Sequence, residues 1–553
     1  MATHRLKREK RSGRSEKSRA KGSGYKAAFF VLLFCIAVPY ISGTEGAMFF
    51  YMSFFIAAAI ILLFPFALSQ VCNRMIRVRH GAGGDRAAGA VRKACLSVGI
   101  VYPIAAFIIT VIFKDLITEK LLPDNGSVGT FYILSAAFLV GALYLILNAT
   151  VDPYLKKGET ADIADAGAIL MPAAALSAVL FSLSKSRMTS SLLDNTTSGK
   201  AVFSASLSVG VLAAAVFLFL RTFLLYLTHS KRIDKIIAKD RAKLREPGFI
   251  LSVQTGFRHF AAILPAICLL PALVIIFGIC LKIRGVGSLF LYDSGLFLLL
   301  VSVAFSFPFL YSITYFGRES YMLSRAYNAG ETSEVWNRVN IILKTVFPCG
   351  LFFTAWFIAS SSSIVPCILN ERSMAGSRLL YFIAPIIPLA AISAGLLYIL
   401  LSIDKSGLSM CSTFVPMALS LIFCYIIGSK TNAGLYVLPI SLAIYIILAL
   451  AVRIVFVFYT VDVRLPYKYF GEVLLCAVIS GTAMKILSLL TGLIKLPDLA
   501  TAVITFFAGG VVYFILLCNA RLITVYTVKD QPMGKFLYAA GKRFRIIHKN
   551  ERE

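Results

Sequence analysis

ALSQVCNRMIRVRHGAGGDRAAGAVRKA, from Ala67 to Ala94, leads one apolar run into a basic hinge and out into a second apolar run. The same spaced residues return in SITYFGRESYMLSRAYNAGETSEVWNRV, from Ser312 to Val339. Arg79, Gly84, Asp85, Arg92 and Pro103 recur as Arg325, Gly330, Glu331, Arg338 and Pro348, about 246 residues further on. Two looser pairs keep a similar offset. GTEGAMFFY from Gly43 matches LYDSGLFLL from Leu291, and DPYLKKGETA from Asp152 matches LLSIDKSGLS from Leu400. Repetition at one long period in an apolar chain reads as a duplicated membrane bundle.

The composition supports this. Hydrophobic residues make up 58% of the 553 residues, charged residues 15%, and the mean hydropathy is +0.82. So little charge cannot cover a water-soluble surface of this size, which excludes a soluble enzyme or nucleic-acid-binding module. Apolar runs long enough to cross a hydrocarbon core of about 30 Å lie near 25–43, 47–72, 92–113, 128–150, 162–183, 201–228, 249–281, 289–317, 338–360, 377–402, 408–428, 432–459, 467–492 and 497–520. The sequence thus predicts an all-α polytopic membrane protein of about fourteen transmembrane helices, with two six-helix bundles in parallel repeat plus two C-terminal helices. The expected divisions are a basic tail (1–24), the N-terminal bundle (25–228), an amphipathic linker (229–248), the C-terminal bundle (249–460), the additional helix pair (461–522) and a second basic tail (523–553).

The net charge of +28 is distributed as orientation in a membrane requires, and not as a nucleic-acid footprint. With the N-terminus placed in the cytoplasm, about forty of the 55 Lys and Arg fall on that side. An even number of spans then returns the C-terminus there as well. In the linker, Ile233, Ile236, Ile237 and Leu244 recur at helical spacing among lysines and arginines, a pattern that suits a helix lying on the membrane surface. The eleven cysteines form no CxxC and no Cys/His cluster, so no disulfide framework, metal or cofactor is expected. Sequons occur at Asn125 and Asn195.

The paired hinges and the twelve-plus-two layout resemble the multidrug/oligosaccharidyl-lipid/polysaccharide (MOP) exporter superfamily, over about Tyr25 to Arg521. In that superfamily such hinges join the second and third helices of each bundle. The final helix pair resembles the fourteen-helix polysaccharide transporters, the lipid II flippases and a related sporulation protein. The resemblance implies a flippase in a bacterial cytoplasmic membrane, both termini cytoplasmic, moving a polyprenyl-linked saccharide. It also implies membrane lipids and cell-envelope synthesis proteins as partners. The lipid II flippases carry arginines in their first two helices, whereas here those spans hold no charge beyond Lys26. A multidrug or cation exporter of the same fold is the alternative.

Charge within a bilayer is costly unless it meets a partner or a wet cavity, so intramembrane charges are the leading site candidates. Arg258, His259 and Lys344 are candidates for binding a pyrophosphate headgroup, because guanidinium and ammonium groups hydrogen-bond phosphate. Arg453 and Lys485 are expected at the interface by snorkelling. Gln70, Asn73, Gly84, Asp85, Arg318, Glu319, Gly330 and Glu331 are candidates for a gate or hinge. Glu45 and Asp293, at the starts of spans two and eight, are candidates for ion coupling or for simple dipole-favoured carboxylates. A cation exporter would draw on the few acids near the spans, among them Asp162, Asp165 and Glu472. Pro39, Pro65, Pro103, Pro265, Pro271, Pro308, Pro348 and Pro388 interrupt spans in both halves. With no catalytic or metal constellation in the sequence, the chain is not expected to be an enzyme.

Overall fold

A computed structural model describes residues 23–81, 84–113, 116–117, 127–155, 196–239, 248–369, 372–461, 466–520 and 522. The expected span 162–183, Asp162, Asp165, the sequons at Asn125 and Asn195, and the two tails before 23 and after 522 lie outside the described residues. Every regular element among the described residues is helical. Helix α1 (Ser23–Ala57) bends at Gly43, whose φ of 72° suits glycine, and so holds the first span and the start of the second. A π-turn (Ala58–Leu62) joins it to α2 (Leu63–Gly81). Helices α3 (Asp85–Ile112), α4 (Val128–Val151) and α5 (Thr196–Lys239) complete the described part of the first bundle.

The second bundle comprises α6 (Gly248–Ile283), α7 (Phe290–Asn328), α8 (Thr332–Leu369), α9 (Met374–Ile383) with α10 (Ile386–Ser402), α11 (Ser406–Lys430) and α12 (Val437–Val461). The additional pair is α13 (Tyr467–Leu493) and α14 (Asp498–Asn519), both packed on α8. Among the described residues twelve stretches are long and apolar enough to cross a membrane, and a shorter apolar stretch, Val31–Tyr40, lies in the first span. Together they occupy every expected span except 162–183.

Both hinges lie at one end of the molecule, called here the hinge end. At the second hinge Gly330 takes φ 72°, and the Glu331 amide closes on Ala326 O at 3.0 Å, ending α7 in a left-handed cap. The first hinge closes differently: the Gly84 amide donates to Arg79 O at 2.9 Å, and Arg79 Nη1 reaches across to Ala87 O at 3.3 Å. The repeated arginines just beyond the hinges are fold residues. Arg92, 5% exposed, pairs with Asp234 of α5 and lies over the Tyr226 ring. Arg338 pairs with Glu319 and Glu334.

These contacts change the expected linker. Helix α5 does not end near 228 but runs on to Lys239. Ile233 is 2% exposed, and Ile237 packs so closely on Gly89 of α3 that a Cβ there would meet it at 2.7 Å. Of the expected stripe, Ile233 is buried and Ile236 and Ile237 are half-buried, with Ile237 against α3 near the Arg92–Asp234 pair, while Leu244 lies outside the described residues.

Four of the span prolines share one arrangement. Proline has no N–H, so the carbonyl four residues earlier loses its donor. In hydrocarbon that carbonyl must be satisfied by the protein. Pro39 frees Cys35 O, which accepts from Tyr51 Oη at 3.3 Å. Pro348 frees Lys344 O, which accepts from Tyr469 Oη at 2.8 Å. Ala384 O, four residues before Pro388, accepts from Thr354 Oγ1 at 2.8 Å as well as from the Ile387 amide at 3.1 Å. Pro65 follows the π-turn, where the step is five residues. The carbonyl left without a donor is then Ile60 O, and Tyr102 Oη donates to it at 3.0 Å. Tyr469→Phe is expected to destabilise the protein by about 1 kcal/mol, read as a lowered Tm in nanodiscs. Adding Pro348→Ala, which restores the amide donor, should recover most of that loss.

Candidate functional site

The two bundles meet at both ends of the molecule, and the hinge-end contact is polar. Helix α2 ends in Asn73, Arg74 and Arg77, and these side chains face two ways. Arg77 and Asn73 bind Asp152, at the end of α4 in their own bundle, and Arg77 Nε also donates to Asn73 Oδ1 at 2.6 Å. Arg74 crosses to the second bundle. Its Nη1 donates to Leu401 O at 3.3 Å and Ser402 O at 3.1 Å, and its Nη2 pairs with Asp404 Oδ1 at 2.7 Å. The acceptors are the last carbonyls of α10, at the negative end of the helix dipole, and Leu401 O also accepts from the Asp404 amide at 3.3 Å. Asp404 sits at φ 57°, a conformation that costs a non-glycine residue about 1 kcal/mol.

Helix α6 reinforces this junction from the side. His259, 7% exposed, places Nε2 3.2 Å from the same Leu401 O and Nδ1 2.9 Å from Thr255 O. Both partners are acceptors, so a neutral ring donates to only one of them. Gly256 lets α6 approach α2, since a Cβ at that position would lie 2.7 Å from Leu68 Cδ1. At the opposite end the contact is one of small residues. Gly295 of α7 packs on the Thr44 carbonyl beside the Gly43 bend, and a Cβ at Gly295 would collide with that oxygen.

Against this frame the residues expected from the sequence take definite places. Glu45 and Asp293 flank the Thr44–Gly295 contact, and both are half-buried. Asn73 belongs to the Asp152 cluster, while Gln70 is exposed. Asp85 bonds His80 across the first hinge. Gly84, Gly330 and Glu331 shape the hinge backbones, and Glu319 is 2% exposed in its pair with Arg338. The side chain of Arg318 lies outside the described residues.

The three headgroup candidates are dispersed. Arg258 is exposed, both nitrogens of His259 face backbone carbonyls, and Lys344 Nζ lies 5.2 Å from the Tyr469 ring centre on α13. Arg453, expected at the interface, is instead 4% exposed inside the second bundle, where Ser393 draws its guanidinium inward. Lys485 is exposed and donates to Ala359 O beside the kink at Ser360. Arg74 and Asp404 were not singled out by sequence. The loose repeat offered a signal for the second, since it aligns the segments that hold Asp152 and Asp404 at the ends of spans four and ten.

A cavity of about 330 Å³ between α9, α10 and α12 is lined by Phe382, Pro385, Leu389, Tyr436, Ile440 and other apolar residues. With no charge on its walls it suits a hydrocarbon and not a headgroup.

The fold is similar to that of known transporters. A multidrug resistance MATE family transporter of the MOP superfamily, in an inward-facing conformation, superposes with a TM-score of 0.52 at 15% identity, covering 80% of this chain and 94% of that one. The MATE multidrug transporter DinF-BH, solved as a complex, gives 0.57 at 16% identity, covering 81% and 95%. The lipid II flippase MurJ, in an inward closed conformation, aligns over 89% of this chain and 96% of its own at 14% identity, with a TM-score of 0.47. No protein-family model matches the sequence, and no curated protein matches it. The chain therefore shares the fold of these MATE transporters, as the resemblance of its paired hinges implied.

Asp404→Asn keeps a residue that tolerates positive φ but removes the charge that Arg74 binds. Spin labels at Val78 and Lys405, in a cysteine-free background, should report a population with separated hinge ends that grows about fivefold, as loss of a half-exposed ion pair worth about 1 kcal/mol predicts. An unchanged distance distribution would show that the pair does not hold the bundles together.

Proposed function

We propose that this chain is a flippase that carries a polyprenyl-phosphate- or pyrophosphate-linked saccharide across the bacterial cytoplasmic membrane by alternating access. Transport, as opposed to catalysis, is supported by the way the bundles are joined. At the hinge end they are held by Arg74 and its three acceptors, a contact that can be broken and remade without breaking a helix. At the far end the small-residue contact of Thr44 and Gly295 offers a pivot. The headgroup would cross between the bundles while the polyprenyl tail stays in lipid, with α13 and α14 supplying extra apolar surface for it.

The sign of the charge within the spans favours an anionic cargo. Away from helix ends the charged or ionisable residues of the described helices include Arg221, Arg258, His259, Lys344, Arg453 and Lys485. The described acids lie within about two turns of a helix end, follow the Gly43 bend as Glu45 does, or pair with an arginine, as Asp234 and Glu319 do. A cation exporter needs a carboxylate free in the membrane interior, and Asp293 at the start of α7 is the nearest approach to one.

Proteoliposomes loaded with a fluorescent polyprenyl-pyrophosphate-linked saccharide test the proposal. Protein-dependent flipping is expected, with Arg258→Ala slowing it at least tenfold if that exposed cation is a headgroup contact. Flipping that survives Arg258→Ala keeps the function and discards that residue. Export of cationic dyes with no movement of the lipid-linked sugar would replace the proposal by the multidrug reading.

A further inference from the structure

Arg453 is the only charged residue of α12 and stands eight residues before its hinge end. A long cationic side chain in such a place ordinarily extends along its stem to the nearer interface. This one turns inward. Nη1 donates to Ser393 Oγ at 2.6 Å and to Ser393 O at 3.0 Å on α10, and Nε approaches Ser412 Oγ of α11 at 3.3 Å. The guanidinium thereby ties three helices together, but all its acceptors are neutral. The remaining nitrogen, Nη2, is buried and has no hydrogen-bond partner among the described residues.

Tyr445 lies two turns nearer the α12 N-terminus, the direction in which helical side chains lean. Its hydroxyl is close enough to interact with the guanidinium. It too is buried and makes no hydrogen bond of normal geometry among the described residues. A phenol oxygen can accept one Nη2 N–H, but its own O–H and the second Nη2 N–H then have no acceptor, and no acid pairs with the guanidinium among the described residues. The serines satisfy part of the geometry of Arg453 and none of its charge. Ser412 Oγ is itself committed to Ser409 O at 2.8 Å. The other buried cations of this chain are treated differently: Arg92 has Asp234.

We propose that Arg453 Nη2 and Tyr445 Oη form an anion site inside the second bundle that takes a small inorganic monovalent anion of halide size. The burial of Ser393, Ser412 and Tyr445, at 3%, 0% and 7% exposure, favours a small ion over a lipid phosphate or a saccharide. The anion supplies the missing acceptor and neutralises the guanidinium. It also steadies α10, the helix whose last carbonyls Arg74 grips about two turns beyond Ser393. The site is independent of which cargo the protein carries.

The full chain in nanodiscs is compared in sodium bromide, sodium chloride and sodium gluconate at equal ionic strength. Wild type should show a saturable rise in Tm with either halide over gluconate, and crystals grown in bromide an anomalous peak beside Arg453 Nη2. Arg453→Met, neutral and of similar length, should lose the halide dependence altogether. Tyr445→Phe, which deletes one oxygen, should weaken the halide midpoint about tenfold, the loss expected for a charge-assisted hydrogen bond. A wild type indifferent to halide, or halide stabilisation that persists in Arg453→Met, would overturn the proposal. Should Arg453→Met not fold, an unchanged halide midpoint in Tyr445→Phe overturns it as well. Stabilisation by phosphate and not by halide would also overturn it.

Discussion

A backbone carbonyl without a donor cannot be left in hydrocarbon, and the shape of this protein follows from how that constraint is met. Proline interrupts the spans, and at Pro39, Pro65 and Pro348 it takes the amide donor from such a carbonyl. A hydroxyl answers each one: Tyr51 from beyond the Gly43 bend of the same helix, and Tyr102 and Tyr469 from neighbouring helices, while Thr354 donates in the same way beside Pro388. Where Tyr102, Thr354 and Tyr469 donate, the proline site is also an interhelical contact. The additional pair is docked in this way. Tyr469 of α13 caps the carbonyl freed by Pro348, and Tyr513 of α14 donates to Pro348 O at 3.1 Å.

The same accounting governs the hinge end. Arg74 and His259 bring donors from two other helices to the last two carbonyls of α10, where the backbone supplies only the Asp404 amide to Leu401 O. Asp152 and Asp404 end the fourth and tenth spans of the two bundles, and α2 binds both through residues within four positions of one another. One helix end thus reads the position of each bundle. The contact to Asp152 lies within a bundle and holds its shape. That to Asp404 lies between bundles and rests on a partly exposed carboxylate, which makes it the weaker of the two. A motion that separates the bundles would break the second and leave the first.

Much of the fold was legible in the sequence because hydrophobic length and repetition are long-range signals. The hinge segments gave the bundle pairing, and the apolar runs gave the spans. The fate of individual polar residues was not legible, because it turns on direction and neighbours. Ile233 and Ile237 show the helical spacing of a surface helix, yet Gly89 admits them to a packed interface. Lys344 and Arg258 have similar depth in their spans, but one lies on an aromatic ring of α13 and the other is exposed. Arg74 and Asp404 look ordinary in a chain with so many basic ends, and their importance appears only when α2 meets α10. Asp404 is a non-glycine residue at positive φ, a strain that sequence does not announce.

The fold alone does not select a cargo, since closely similar bundles carry different chemistry on their inner faces. Selection lies in how charge is distributed inside the frame. Where this chain needs a cation for architecture, it supplies the acid too: Arg92 meets Asp234, and Arg338 meets Glu319 and Glu334. A guanidinium deep in α12 with only serine acceptors departs from that practice. An apolar or hydroxyl side chain would tie α10, α11 and α12 at far lower desolvation cost. The retention of Arg453 is accounted for if the missing negative charge arrives from solution, which is why the second bundle is better understood as a framework completed by an anion than as a closed hydrophobic one.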